Sequence, residues 1–427
     1  MNNEVQSTQI KKTMLAAAVA TALVAGNVQA ANWLMLQGTE PANSAERAKV
    51  WGFVQAEYQQ TDDTLLPSGK KAAFNQLAPD LSTSSGFNIK RARIGVRGAN
   101  LPLDSKVNYF LLAEFGNNGI TTGGNAGPGQ VSDASITLNH IPGARIRVGQ
   151  FKTPGVEESL QAAPVFNYVN FTTMTDRIIN ERQFTSSTGN TGRNGSNSSF
   201  RDIGVQVFDA FDVKGYELSY ALMYGNGNGL NRSDNNKFKD LYTYVSLEKY
   251  FSDDKGPRAK SFKVFAWNQD GKRTLSDLGD KNRTRSGLGT TFFNGKFRAA
   301  AEYITADGMI YGGSSGGGLP SDGATFSVQA DEKANGYYLD LGYRVIPKLE
   351  LKVRYDTLNS GTEVATNERK FTTTTIGGQY FINKKTTLLV DYEMREASAP
   401  NLASTHAANK ILDTMDNRIA IQLGVVF

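Results

Sequence analysis

The sequence predicts an all-β chain: a 16-stranded antiparallel transmembrane β-barrel with a long loop after the fifth strand. Three observations predict it. Segments of eight to twelve residues with strict alternation of apolar and polar side chains recur from Val50 to the end. The links between them alternate between tight and long. The last residues, Asp416–Phe427 (DNRIAIQLGVVF), set Ile419, Ile421, Leu423, Val425 and Phe427 on one face and stop on the aromatic ring. A period of two means a strand with one apolar face. The terminal ring needs an apolar surface, either a dry core or lipid.

Composition narrows the class. Of 427 residues, 39% are hydrophobic, and no run of about 18 apolar residues follows the first thirty, which excludes a bundle of membrane helices. Gly is abundant at 43, Tyr and Phe number 17 and 23, and Pro is scarce at 12, a profile of many strands joined by Gly-rich turns. Residues 1–30 read as an export signal: Lys11-Lys12, the apolar Met14–Ala25 and the small-residue cleavage site Val28-Gln29-Ala30. The mature chain is then expected to start near Ala31, with residues 31–49 a mobile lead-in and 50–427 the barrel. With no Cys, neither disulfides nor thiolate metal sites are available. The formal charge is +5, or +4 without the leader's Lys11, Lys12 and Glu4, too mild an excess to imply nucleic acid.

In chain order, Val50, Val54, Ala56 and Tyr58 alternate with Phe53, Gln55 and Glu57. Ala92, Ile94 and Val96 alternate with Arg91, Arg93 and Arg97. Val107–Phe115 has Asn108 and Glu114 on its second face, and Ala134, Ile136 and Leu138 stand opposite Asp133, Ser135 and Thr137. Ala144, Ile146 and Val148 oppose Arg145 and Arg147. Further rows run through Ile203–Val207, Tyr216–Tyr224, Leu241–Leu247, Phe262–Ala266, Leu288–Phe292 and Phe297–Tyr303. The clearest are Tyr337–Val345 and Leu349–Tyr355, with Asp340, Arg344, Glu350, Lys352, Arg354 and Asp356 opposite. Ile376–Tyr380, Leu388–Met394 and the terminal strand complete about sixteen, an even number. Tight links at His140–Ala144, Ala210–Gly215, Asn294–Lys296, Ile346–Lys348 and Ile382–Thr386 take turns with long polar ones.

Short turns at one rim and long loops at the other belong to a membrane barrel, not a sandwich. In hydrocarbon every unpaired backbone group costs several kcal/mol, so the sheet must close. An Arg turned to lipid at mid-membrane costs ~2–4 kcal/mol. Arg91, Arg93, Arg97, Arg145 and Arg147 must therefore face the lumen, which at sixteen strands is an aqueous channel.

Lys152–Ser199 is the longest interruption among the early strands. Its first part is apolar and aromatic; Thr185–Ser199 is rich in Ser, Gly and Asn. Phe166, Tyr168 and Phe171 need a wall to pack on, so Thr153–Arg182 is expected to fold back into the pore. The competing reading is an extracellular flap or a subunit-contact loop.

The stretches Lys90–Gly98 (KRARIGVRG), Arg147–Glu158 (RVGQFKTPGVEE) and Asp176–Phe184 (DRIINERQF) resemble the phosphate-selective porin O and P family. The terminal strand likewise resembles the closing strand of bacterial outer-membrane proteins. The resemblance implies an outer-membrane homotrimer in lipid and lipopolysaccharide, with the loop after the fifth strand lining an anion-selective constriction. By it, Arg91, Arg93 and Arg97 match the family's basic strand and Lys152 the basic residue that opens the loop.

The residues argue for anions independently. Arg rows in a narrow aqueous cavity concentrate anions and repel cations, and guanidinium matches phosphate or carboxylate with paired donors. Small anions such as phosphate, other oxyanions and chloride are the expected solutes. The alternative is that these Arg only pair across strands with Glu114, Asp133 or Glu57 and knit the wall. Between Thr153 and Asp176 the loop carries no Lys or Arg, while Glu157 and Glu158 sit near its start, leaving Arg177 and Arg182 as its basic candidates. A general anion pore fits these residues as well as a phosphate-selective one, and a general non-selective porin is the alternative. An enzyme would want a positioned base; the two histidines, His140 in a tight turn and His406 in a polar loop, form no triad pattern. No cofactor, catalytic group or metal site is expected. A structural or adhesive barrel is the remaining alternative.

Overall fold

The computed structural model describes residues 33–35, 39, 47–77, 83–100, 103–118, 129–180, 200–234, 236–253, 258–275, 279–313 and 326–427. The expected leader, residues 1–30, lies outside them. Eleven strands come first: β1 (Lys49–Gln60), β2 (Ser85–Ala99), β3 (Val107–Glu114), β4 (Gln130–Leu138), β5 (Arg145–Lys152), β6 (Arg201–Val213), β7 (Tyr216–Gly225), β8 (Asp240–Tyr250), β9 (Ser261–Leu275), β10 (Gly279–Phe293) and β11 (Phe297–Asp307). A two-stranded ribbon, β12 (Ile310–Gly313) and β13 (Phe326–Gln329), stands apart from the wall. Then follow β14 (Lys333–Ile346), β15 (Leu349–Ser360), β16 (Arg369–Asn383), β17 (Thr386–Ser398) and β18 (Arg418–Val426).

Among the described residues sixteen antiparallel strands close the barrel, each beside its neighbour in sequence, with β11 beside β14 and β18 beside β1. Closure removes the free sheet edges that hydrocarbon would not tolerate. Gly52 and Phe427 exchange both backbone hydrogen bonds, at 2.9 and 3.3 Å, so the final residue is sewn into the first strand. The alternation read from the sequence is the alternation of the wall. Leu339, Leu341 and Tyr343 on β14 face outward and exposed, while Tyr338 and Asp340 between them are buried inside. Ile94 on β2 is outward, Arg91 and Arg93 inward.

The tight turns and long loops separate to opposite rims. Lys214 and Gly215, both at positive φ (56° and 80°), form the two-residue link of the β6–β7 hairpin, the backbone twist such hairpins favour. The sorting has one exception. Ten residues, 251–260, separate β8 from β9 at the short-turn rim, and only three, 276–278, separate β9 from β10 at the other. β9 and β10 run fifteen residues each, so this hairpin projects as strand rather than loop.

Two expectations need correction. The lumen is not simply an aqueous space. Val156, Leu160, Met174 and Ile178 from the loop pack on the inward Phe208 of β6, Tyr244 of β8, Phe265 and Trp267 of β9 and Ile304 of β11 in one buried apolar cluster. Those wall residues sit at inward positions, so these strands are apolar on both faces where the loop packs, although Lys263, Gln206 and Glu302 lie inward on the same strands. Nor is the whole lead-in a mobile approach to the barrel: Leu34 and Met35 are 3% and 5% exposed and belong to the same cluster.

Candidate functional site: the basic wall and the loop that faces it

The segment after β5 turns into the barrel at once, and its backbone is held by the inner wall. The Tyr168 hydroxyl donates to Asp340 on β14 at 2.5 Å, and Val169 N–H to Asp391 on β17 at 2.7 Å. Asn170 donates to Glu393 at 2.8 Å and to Gln59 at 3.1 Å, and Thr173 N–H to Asp356 at 2.9 Å. Arg285 on β10 donates to the Ile178 carbonyl at 3.2 Å. The loop has only short helical turns (Glu157–Leu160, Ala163–Val165 and Thr175–Ile179), so it needs such partners, because each buried N–H or C=O left unpaired is costly. Glu157 and Glu158 anchor its start: Glu157 meets Lys263 of β9 at 2.7 Å and Glu158 meets Arg354 of β15 at 3.0 Å. Burial pushes the Glu158 carboxyl above the usual glutamate range, against the pull of Arg354 and the hydroxyls of Thr172 and Thr175.

Opposite this loop lies a wall rich in cations. Arg91 Nη1 donates to Gln55 Oε1 at 2.8 Å, and Gln55 in turn donates to the loop carbonyl of Ala163 at 3.0 Å. Arg93 Nε meets Glu114 at 2.6 Å and its guanidinium lies 5.7 Å from the centre of the Phe53 ring. Lys152 Nζ donates to the Leu160 and Gln161 carbonyls, at 3.2 and 2.7 Å, with the Phe200 ring 5.2 Å away. Arg91, Arg93 and Lys152 line a cavity of about 20 Å³ together with Glu158, Gln161, Ala163, Phe166, Phe171 and Phe200. That is room for about one water, so this is a narrow place. Among the described residues, three cations and one carboxylate border it.

The other expected site residues are more dispersed. Arg97 stacks over Phe110 at 5.7 Å. Arg145 approaches Asp209 at 3.6 Å. Arg147, 1% exposed, is clasped by Phe208 and Phe151 and donates to Thr137 at 3.3 Å. Arg177 lies over Phe371, 4.1 Å from the ring centre, and burial lowers its pKa to about 10. It is not brought to the cavity. Arg182 lies outside the described residues.

The cross-strand pairing weighed in the sequence is present for Glu114, while Asp133 and Glu57 take other partners. Arg93 takes Glu114, as the β2–β3 register places them opposite. Asp133 goes to Arg201 at 3.0 Å and Glu57 to Lys90 at 2.9 Å. Lys90 and Arg201 are the wall cations that alternation alone misses. A bulge between Gln55 and Ala56 leaves Lys90 without an opposite residue in the β1–β2 pairing and turns it inward beside Arg91. Arg201 and Asp202 are both buried where β6 begins, before the alternation settles. A second basic group, Arg298, Lys352 and Arg354, lines the far wall against Asp340, Asp391 and Glu158. The histidines do other work: His140 pairs with Asp104 in a turn at 2.6 Å, and His406 caps the helix Ala407–Leu412 by accepting from Ala408 N–H.

Chemically, a closed cylinder with charged groups inside, apolar side chains outside and a loop across its interior is the geometry of a solute channel narrowed from within. Residues 15–400 match the profile of the Gram-negative porin family. The chain belongs to that family. As a Gram-negative porin it is an outer-membrane channel-forming barrel. In fold it is similar to an anion-selective porin from Comamonas acidovorans, at 14% identity over 90% of this chain and 99% of that one, with a TM-score of 0.55. The outer membrane channel DcaP of Acinetobacter baumannii is similar at 15% identity over 92% and 100%, TM-score 0.52. OmpF of Salmonella typhi, in complex with daunomycin, is similar at 14% over 89% and 97%, TM-score 0.52. At these identities the likeness is one of fold. No curated protein matches the sequence.

Proposed function

We propose that this porin passes small hydrophilic solutes with a preference for anions, set where the inward loop faces β2 and β5. One observation carries the reading: among the described residues, Arg91, Arg93 and Lys152 border the narrow cavity with Glu158 as the one carboxylate. An excess of fixed positive charge in a narrow polar passage raises the local anion concentration and opposes cations. Arg93 is offset by Glu114, and the field is the sum over Arg91, Arg93 and Lys152 at the cavity.

The general anion pore is favoured over the phosphate-selective form suggested by the resemblance to the O and P family. A tight oxyanion site wants several converging donors. Here Lys152 is turned to two loop carbonyls, and Arg177 stacks on an aromatic ring elsewhere. The homotrimer, and contact with lipopolysaccharide, belong to the same reading and would be checked by cross-linking in native outer membranes. The test of selectivity is the reversal potential of the reconstituted protein under a potassium chloride gradient. Anion preference with chloride current insensitive to low phosphate supports the general form. Block by low phosphate would restore the selective one, and cation preference would remove both.

A further inference from the structure

The three residues Trp33–Met35 stand inside the barrel, although β1, which follows them, starts at the short-turn rim beside the chain's last residue. They touch both the wall and the loop. Trp33 Nε1 donates to Glu157 Oε1 at 3.1 Å, the same carboxylate that Lys263 holds. Arg147 Nη2 donates to the Leu34 carbonyl at 3.3 Å and to Thr39 Oγ1 at 3.5 Å. Arg145 Nη1 points at the Met35 sulfur at 3.7 Å. Thr39 Oγ1 bonds back to the Met35 carbonyl. Leu34 and Met35 complete the apolar cluster formed by Val156, Leu160 and Phe208.

We propose that Trp33–Met35 is an internal plug of this channel, lodged between β5 and the inward loop. Three adjacent apolar side chains in a water-bordered lumen are stable only where they bury against other apolar surface, and the loop and wall supply it. The plug also occupies donors of both β5 guanidiniums, which the sequence had assigned to anions. Because Trp33 and Lys263 share Glu157, the plug and the loop hold each other in place. With the plug seated, the passage runs along the β2 side, past Arg91 and Lys152. With it displaced, the lumen widens toward β5 and β6, and Arg145 and Arg147 border water.

The current measurements rest on the channel reading above; the labelling measurement does not. The full-length chain is purified from outer membranes and reconstituted in planar bilayers. Replacing Trp33, Leu34 and Met35 together by Ser should raise single-channel conductance at least about 1.5-fold and strengthen anion preference. Adding Arg145→Gln and Arg147→Gln in that background should reverse the gain in preference, while the same pair in the intact plug should change it less. Retained heat-modifiable mobility on gels shows that the barrel has folded. Independently, the chain has no native Cys, so Met35→Cys can be probed with a membrane-impermeant thiol reagent. Its labelling should be at least about tenfold slower than that of Lys385→Cys in the exposed β16–β17 turn. Equal labelling rates, or unchanged conductance in the triple variant, would overturn the plug. Slow Met35→Cys labelling in a channel without anion preference would sink the anion reading and keep the plug.

Discussion

Neutralising Arg91 should weaken anion preference more than neutralising the Arg93–Glu114 pair. Replacing Arg91, which donates to Gln55, changes the net charge of the wall, whereas Arg93 meets a fully buried carboxylate at 2.6 Å and can be removed together with it. Arg91→Gln removes a unit charge from the edge of the narrow cavity. For an ion passing at roughly 6 Å, Coulomb's law gives about 0.7 kcal/mol at the dielectric constant of water and about 2.8 kcal/mol at an effective value of 20. The anion loses that energy and the cation gains it, so the anion-to-cation ratio should fall by about tenfold at the first limit and about ten-thousandfold at the second. Arg93→Gln together with Glu114→Gln removes no net charge and should change the ratio by less than about twofold. Arg93→Gln alone takes the cation at 2.6 Å from the buried Glu114 carboxylate and would cost up to about 3–5 kcal/mol of stability, so the double variant is the fair comparison. The assay is the reversal potential of single channels in a salt gradient at low ionic strength, where screening is weak. An Arg91→Gln channel with undiminished preference, or a larger loss in the paired variant, would refute the assignment of the field.

Other predictions follow from neighbouring contacts. Glu158 borders the cavity and its pKa is raised by burial; it therefore takes up a proton at milder acidity than free glutamate. Anion preference should rise as pH falls toward that range, and Glu158→Gln should show the raised preference at neutral pH and a flatter profile. Removing its partner by Arg354→Ala leaves that buried carboxylate unpaired, a cost of about 3–5 kcal/mol; limited proteolysis should then cut the 153–180 segment faster while the barrel stays intact. A β-carbon at Gly52 would collide with the Phe427 ring and the Arg93 carbonyl, so Gly52→Leu should lower the yield of folded barrel in outer membranes, read by heat-modifiable mobility. Normal assembly of Gly52→Leu would show that the seam is not tightly packed.

How much of this was legible in the sequence differs element by element. β14 and β15 were plain because each position satisfies one rule: Leu339, Leu341, Leu351 and Val353 outward, Asp340, Lys352 and Arg354 inward. β9 hid half of its meaning. Phe265 and Trp267 occupy inward positions and pack on the loop, and a period of two cannot distinguish an aromatic that meets lipid from one that meets an inserted segment. Lys90 was hidden by the bulge, since an extra residue moves a side chain to the other face. The inward Arg rows were legible; their partners were only partly so. Arg93 with Glu114 follows from pairing of consecutive strands, but Asp133 with Arg201 joins β4 to β6 across an intervening strand, a contact set by side-chain reach rather than register. Trp33–Met35 gave no periodic signal at all, being too short for one.

The central claim is that a positively charged passage filled with water runs beside the inward loop. Phe166→Cys places a thiol at the cavity with every charge in place, and Ile94→Cys places one on the outer face. The account predicts that Phe166→Cys reacts several times faster with an anionic thiosulfonate than with a cationic one of similar size, and that Ile94→Cys reacts with neither from water. Faster reaction with the cationic reagent, or free labelling of Ile94→Cys, would contradict it.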